Sequence, residues 1–243
     1  MNLVMTLIAG PGAGRTLPDL VAGLAASLPL AGMPEWLAPG MAFDLQFAGI
    51  AGQAAEAAAR QAIGDAAIDV VVQPPSGRKK RVLVADFEAT IIENEMLDEL
   101  ADFIGRRSQI AEITRRAMNG ELDFAAALAE RVATELGFER VVANRLLIAD
   151  GRIAGTVEAP LVTGDTKRET LVAFAGECAV PRSATLAVGD GANDLPMLLA
   201  AGLGIAFRAK PAVAAAARWR IDHADLRGLL YAQGYRQEEI VDA

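Results

Sequence analysis

The hydrophobic pattern of the chain predicts alternating strands and helices in two regions. Short apolar runs rich in β-branched residues are typical of buried strands, whereas longer segments carry apolar residues at helical spacing. In the first 73 residues the pattern predicts strands at 3–8, 42–47 and 69–72 and helices at about 18–28 and 54–63. This order favours a small α+β sandwich.

Beyond residue 81 the pattern favours a doubly wound α/β domain with a parallel sheet. A helical cap is expected at about 93–136, where apolar residues recur at helical spacing. A β-hairpin is predicted within 145–162, turning at Asp150-Gly151. The segments that follow are predicted to form strands at 186–188 and 203–207 and helices at 167–177 and 195–201.

A Pro-Pro-Ser-Gly cluster at 74–77, followed by four basic residues, marks the clearest boundary in the chain. We therefore predict a small α+β domain at 1–73, a linker at 74–81 and the α/β domain at 82–243. The basic run is predicted to be a solvated face of the linker, because it is too short to be typical of a nucleic-acid site.

Three carboxylates follow predicted strands of the α/β region. Asp86 comes after an apolar run at 82–85, and Asp190 and Asp194 come after 185–189. Ligands of open α/β sheets bind at the carboxyl ends of the strands, and Mg²⁺ prefers carboxylate oxygens. A carboxylate beside a divalent metal and a lysine such as Lys167 stays ionised and can attack phosphorus. The residues thus predict phosphoryl transfer through an aspartyl-phosphate.

At these positions the sequence resembles the haloacid dehalogenase (HAD) superfamily of phosphatases, and within it the bacterial phosphoserine phosphatases. Motif one of the family, D-x-D-x-T, reads Asp86-Phe87-Glu88-Ala89-Thr90, motif three is Lys167, and motif four is the segment 189–194. The resemblance extends from about Lys80 to Tyr235. It implies a HAD-like parallel sheet with a helical cap, and a ferredoxin-like regulatory domain at the N-terminus.

The resemblance also implies a role for individual residues. Asp86, Glu88 and Lys167 would be catalytic, and Mg²⁺ would be held by Asp86, Asp190 and the backbone carbonyl of Glu88. Asp194 would orient its neighbours from behind the metal ligands. The substrate would be bound by a further set of residues: Glu95, Met118, Phe124, Arg131, Lys167 and Asn193. In that set Glu95 would face the ammonium group of phosphoserine and Arg131 its carboxylate.

Two departures from the family pattern matter. Motif one carries Glu88 where the family has a second Asp, which lengthens the general acid/base by one methylene. Motif two, an apolar strand ending in Ser or Thr and then Gly, is absent from its expected place near residue 139. The run Leu161-Val162-Thr163-Gly164 has suitable local chemistry, but it is short for a sheet strand. We therefore expect the sheet to lack one strand.

Composition excludes several other classes of protein. The net charge of −8 argues against a nucleic-acid partner. Cys178 is the only cysteine and His223 the only histidine, so neither a disulfide nor a histidine-rich metal site is expected. A single cysteine fits a cytoplasmic protein. The apolar first residues lack the features of a signal peptide or a membrane span, so no membrane partner is expected.

The sequence is compatible with two functions. The first is Mg²⁺-dependent hydrolysis of O-phospho-L-serine to L-serine and phosphate, the last step of serine biosynthesis. The alternative is a catalytically impaired homologue that binds a phosphorylated amino acid or acts as a regulatory or interaction protein. The retained catalytic residues favour the first function, and the missing motif two favours the second.

Overall fold

The computed structural model describes residues 2–91, 133–144, 146–149, 152–157, 159 and 161–241. The N-terminal region contains four strands and two helices in the order β1, α1, β2, β3, α2, β4. Their bounds are Leu3–Ala9 (β1), Leu17–Ser27 (α1), Glu35–Ala38 (β2), Ala42–Phe47 (β3), Gly52–Ile63 (α2) and Ile68–Gln73 (β4).

These strands form one antiparallel sheet in the order β2-β3-β1-β4. Leu7 of the central strand β1 lies opposite Phe43 on one side and Val70 on the other. Helices α1 and α2 pack on one face of the sheet through buried residues such as Leu17 and Ala55. The connectivity and strand order are those of a ferredoxin-like fold, as predicted. The sequence pattern did not predict strand β2.

The second region is built on a parallel sheet. Its elements are β5 (Val82–Ala85), the hairpin β6 (Leu146–Ala149) and β7 (Arg152–Val157), α3 (Gly164–Glu177), β8 (Thr185–Gly189), α4 (Leu195–Ala200), β9 (Leu203–Phe207), α5 (Pro211–Ala216), β10 (Trp219–Ile221) and α6 (Arg227–Ala232). The sheet has the order β10-β9-β8-β5, and every pairing in it is parallel. The hairpin, both helices and both strands that were predicted after residue 145 are confirmed. The predicted cap lies almost entirely outside the described residues.

The two faces of the parallel sheet are covered differently. Helices α3, α4 and α5 cover one face through Leu171, Met197 and Val213. The other face packs against the antiparallel sheet, so that Ile8 and Val71 share a core with Val188 and Ile205. The N-terminal sheet is thus buried between its own helices and the parallel sheet.

The segment predicted to be a solvated linker is anchored at Arg78. Its guanidinium donates hydrogen bonds to the Asp44 carboxylate, at 2.6 Å, and to the Thr6 hydroxyl, at 2.9 Å. The side chains of Arg78 and Asp44 are both largely buried. The prediction that the whole basic run is solvated is therefore wrong for Arg78, because a buried carboxylate of β3 provides its counter-charge.

Strand β5 occupies an edge of the parallel sheet. Within the described residues β5 pairs only with β8, and Leu83 is 38% exposed although its strand is wholly apolar. Apolar runs of this kind are typical of strands buried on both faces. The edge position agrees with the expected absence of one strand next to β5. No helix in the described part of the chain is long and apolar enough to cross a membrane.

Candidate active site

The candidate site lies at the carboxyl ends of β5 and β8, where the sequence predicted it. The backbone N–H of Asp86 donates to the carbonyl of Val188 at 2.9 Å, which extends the β5–β8 pairing to the first residue beyond the strand. Asp190 directly follows β8. Because parallel strands end at the same edge of the sheet, the two carboxylates are brought together.

Three carboxylates form a compact oxygen-rich cluster. Oxygen atoms of Asp86, Asp190 and Asp194 all lie within 4.8 Å of one another. An all-oxygen donor set of this kind suits a hard divalent cation, which also offsets the mutual repulsion of the carboxylates. The predicted ligands Asp86 and Asp190 are therefore placed where they could hold a metal together.

Lys167 connects the two ends of this cluster. Its Nζ donates to Asp86 Oδ1 at 2.7 Å and to Asp194 Oδ1 at 2.6 Å. Burial alone would lower the pKa of Lys167, but the hydrogen bonds and charges of Asp194 and Asp86 outweigh it and raise the pKa above its ordinary value. Lys167 is thus held as a cation against the candidate nucleophile.

Asp194 is fully buried behind the cluster. Besides the bond from Lys167, its Oδ2 accepts the backbone N–H of Gly191 at 2.9 Å. Burial raises the pKa of the Asp194 carboxyl and the charge of Asp86 adds to this, while Lys167 and the Gly191 N–H oppose it. A Cβ at Gly189 would lie 2.5 Å from the Asp194 carboxyl carbon, so only glycine admits this side chain.

Asp190 is held by residues of two other segments. The Thr90 hydroxyl lies 3.4 Å from Asp190 Oδ1, and Lys210 Nζ lies 4.0 Å from Oδ2. The backbone N–H of Lys210 also donates to the Asp190 carbonyl at 3.1 Å. Lys210 was not singled out from the sequence. Lys210 follows the carboxyl end of β9, the strand next to β8, and this position in the sequence would have indicated a residue near the site.

A cavity of about 620 Å³ opens at the cluster. Glu88 and Asn193 line it together with Asp86, Lys167 and Asp190, so these five predicted residues share one space. The other predicted substrate-binding residues lie outside the described residues: Glu95, Met118, Phe124 and Arg131.

The segment 161–164 does not replace motif two. Thr163 is the N-cap of helix α3, and its hydroxyl accepts the backbone N–H of Thr166 at 3.3 Å. The backbone N–H of Val162 donates to Asn144 Oδ1 at 2.7 Å. The segment therefore begins a helix instead of forming a sheet strand, as its shortness suggested.

Comparison with known proteins identifies the family. The family model of haloacid dehalogenase-like hydrolases matches residues 161–232. A phosphoserine phosphatase of Streptococcus thermophilus is 35% identical over 215 residues, which cover 67% of this chain and 96% of the relative. The chain belongs to the phosphoserine phosphatase family of HAD hydrolases. Phosphoserine phosphatase SerB2 of Mycobacterium tuberculosis is also 35% identical, over 227 residues that cover 71% of this chain but only 56% of the relative.

A solved structure extends the likeness to the whole fold. The HAD family hydrolase T0658 of Salmonella enterica serovar Typhi has a TM-score of 0.70 at 20% identity, covering 98% of this chain and 100% of that one. At this identity the likeness concerns the fold alone. Its coverage includes both the antiparallel and the parallel sheet.

The length of the sequence match reveals a gap in this chain. The match to the Streptococcus protein runs over 215 aligned positions, whereas 67% of the 243 residues is about 163, so roughly 50 positions have no counterpart here. This gap agrees in size with the predicted loss of the segment that carries motif two. The loss of a strand next to β5 would also leave β5 at the edge of the sheet, where the structure has it.

Proposed function

We propose that the protein hydrolyses O-phospho-L-serine to L-serine and phosphate in a Mg²⁺-dependent reaction, as the last step of serine biosynthesis. The observation that carries the proposal is the contact of Lys167 with both Asp86 and Asp194, beside Asp190. The choice of phosphoserine as substrate is based on the relatives, which are named phosphoserine phosphatases. The first relative extends well beyond this chain, so the activity of the whole protein belongs to the proposal.

The metal would be held by Asp86, Asp190 and the backbone carbonyl of Glu88. When bound, Mg²⁺ would neutralise the phosphate oxygens and lower the barrier to attack on phosphorus. Lys167 contributes a second positive charge at the same place, since its pKa is raised by the surrounding carboxylates. Its Nζ lies 2.7 Å from Asp86 Oδ1, so this charge also faces the candidate nucleophile.

The reaction proceeds in two displacements at phosphorus. A carboxylate oxygen of Asp86 forms a bond to phosphorus while the bond from phosphorus to the serine oxygen breaks, and Glu88 gives its proton to that oxygen. Glu88 then takes a proton from water. The water oxygen attacks phosphorus, the bond to Asp86 breaks, and phosphate leaves with the aspartate restored.

The remaining residues would select the substrate. Asn193 lines the cavity and would bind the phosphate group. Glu95 would bind the ammonium group and Arg131 the carboxylate of phosphoserine, with Met118 and Phe124 beside them, as the family resemblance implies. A bidentate pair with Arg131 would favour amino-acid phosphates over other monoesters.

The cellular setting is also part of the proposal. The single cysteine, Cys178, is exposed and suits a reducing compartment, so we place the protein in the cytoplasm. We further propose that residues 1–73 form a regulatory-type domain joined through 74–81 to the phosphatase domain at 82–243. The ferredoxin-like topology of the first region supports this division.

A second candidate function is favoured by the gap of roughly 50 positions. The lost segment would remove a strand beside the nucleophile, and active sites fail when their groups are placed about 1 Å too loosely. The chain would then bind phosphoserine, or act as a regulatory or interaction protein, without turning the substrate over.

Phosphate release from L-phosphoserine, with and without Mg²⁺, tests the proposal. Asp86→Asn should abolish release, because the amide keeps the shape of the side chain but is not a nucleophile. Asp165→Asn is the matched control, since that carboxylate lies on α3 with its side chain 80% exposed. Undiminished release by Asp86→Asn would overturn the mechanism. Binding of phosphoserine without release would identify the second candidate.

Glu88→Asp distinguishes between two causes of low activity, a misplaced Glu88 carboxyl and the missing segment that carries motif two. General acid/base assistance is worth roughly 10²–10⁴-fold, and one methylene displaces the carboxyl by about one bond length. A misplaced Glu88 predicts a faster reaction in Glu88→Asp. A slower reaction would show that the site has adapted to glutamate. If the natural protein is inactive and Glu88→Asp is inactive as well, the missing segment is the cause of the defect.

A further inference from the structure

The first turn of helix α3 touches the loop between β8 and α4 at a glycine. A Cβ built on Gly164 would lie 2.8 Å from the backbone oxygen of Asn193 and 3.1 Å from Cγ of Pro196. Real Cβ atoms essentially never come within 3.0 Å of a backbone atom. A side chain at residue 164 therefore requires the helix or the loop to move.

Both partners of this contact carry residues of the site. Lys167 lies three residues after Gly164 in the same helical turn, and its N–H donates to the Thr163 carbonyl at 2.9 Å. On the other side, Asn193 lines the cavity and Asp194 accepts the bond from Lys167. The distance between helix and loop thus sets how Lys167 reaches the two carboxylates.

We propose that Gly164 is a positioning residue of the phosphoryl-transfer site. The absence of a side chain lets the first turn of α3 rest directly on the Asn193 carbonyl, and this contact places Lys167 between Asp86 and Asp194. The inference deepens the proposed function and rests on it for the role of Lys167 toward phosphate. A shift of several tenths of an ångström at residue 164 is large on the scale that such sites tolerate.

The same helix provides a matched control. Gly176 lies in the last turn of α3, and a Cβ built on it would meet no atom within 4 Å. Alanine favours helix over glycine at both positions. Gly176→Ala should therefore leave the protein unchanged or more stable, whereas Gly164→Ala introduces the close contact. Any functional loss specific to Gly164→Ala cannot come from helix propensity.

The experiment measures binding of inorganic phosphate in the presence of Mg²⁺ by calorimetry. We expect Gly164→Ala to weaken phosphate about tenfold, since a misplacement near 1 Å can cost about 100-fold, and Gly176→Ala to leave binding unchanged. The same pair is then compared in a Lys167→Ala background. If Gly164 acts through Lys167, its substitution has little further effect there, because coupled residues are not additive.

Two results would overturn the inference. One is equal phosphate affinity in Gly164→Ala and Gly176→Ala. The other is an undiminished loss in the Lys167→Ala background, which would show a merely structural role. If Gly164→Ala does not fold, Thr163→Val loosens the same turn by removing its cap, and Thr163→Ser should rescue phosphate binding. Phosphate binding without turnover of phosphoserine would reject the proposed function and still test Gly164.

Discussion

The two edges of the parallel sheet differ in how they are protected. At the β10 edge, Ile221 is fully buried and the indole N–H of Trp219 donates to the carbonyl of Val72 in the antiparallel sheet, at 2.8 Å. At the β5 edge, Leu83 is 38% exposed and the cavity of the candidate site runs alongside the strand. One edge is closed by the N-terminal region, and the other carries the candidate nucleophile.

Asp69 shows most clearly how the β10 edge is closed. This buried carboxylate of β4 accepts the backbone N–H groups of Asp222, His223 and Ala224 at 2.8–3.3 Å. Three N–H groups beyond the end of β10 thereby find their acceptor on β4. The comparison teaches that the contacts which stabilise the sheet are concentrated at one edge, while the edge that carries the candidate site is less constrained.

The largest effect is expected from Asp69→Ala, which breaks the closed edge. Removing the carboxylate leaves three N–H groups without their acceptor. Hydrogen bonds to a charged group contribute about 1.5–3 kcal/mol each, and since part of this is recovered from water we expect a loss of about 3–5 kcal/mol in the free energy of unfolding. Asp225→Ala is the control, because its pair with Arg227 is about half exposed and worth about 0–1 kcal/mol. Urea denaturation of both variants measures the difference. Equal losses would contradict the assigned role of Asp69.

Truncation of one apolar side chain at each edge compares them directly. Ile221→Ala should lower the free energy of unfolding by about 2–5 kcal/mol, the usual cost of such a change in a core. Leu83→Ala should cost clearly less, about 1 kcal/mol, because its side chain is partly solvated already. A loss at Leu83 as large as that at Ile221 would show that the β5 edge is covered in solution.

The pH dependence of stability sharpens the same comparison. Burial raises the pKa of the Asp69 carboxyl above its ordinary value of 3.8, although the three N–H bonds and His223 act in the opposite direction. Protonation of Asp69 therefore favours the folded state, and this part of its contribution is fully present below pH 3.8 and is lost as the pH rises through the folded-state pKa. Asp69→Asn does not titrate at this position. As the pH rises from 3.8 through the folded-state pKa of Asp69, the natural protein should therefore lose stability relative to this variant. Melting temperatures measured from acid to neutral pH check this, and a difference that grows in the opposite direction would refute it.

The smallest change concerns association through the β5 edge, where the described residues add no further strand. An exposed apolar edge strand promotes pairing with other chains, so the protein should self-associate or melt within or below the mesophile range of about 45–65 °C. Leu83→Lys should reduce association with little change in stability, because charged side chains protect edge strands. Sedimentation over a range of concentrations provides the measurement. A monodisperse natural protein with a higher melting temperature would contradict the prediction.

The sequence located the candidate site better than it located the contacts that stabilise the fold. Asp86, Asp190 and Lys167 could be found because strand ends and ordered family motifs are local patterns. The acceptor role of Asp69 depends on residues more than 150 positions away, and no local pattern records that distance. Arg78 was misread for the same reason, since its partner Asp44 lies on another strand. Strand β2 escaped prediction because it has only four residues and its pairing is interrupted by a register shift.

The separation between Asp69 and its partners also has a consequence for biosynthesis. The N–H groups that it binds lie 153–155 residues downstream, near the C-terminal end of the chain. A ribosome adding about 5–20 residues per second needs roughly 10–30 s to reach them. Until β8, β9 and β10 have all been made, the apolar face of the antiparallel sheet lacks part of its covering layer. The nascent N-terminal region is therefore expected to expose apolar surface, and to be prone to aggregation, until β10 has emerged.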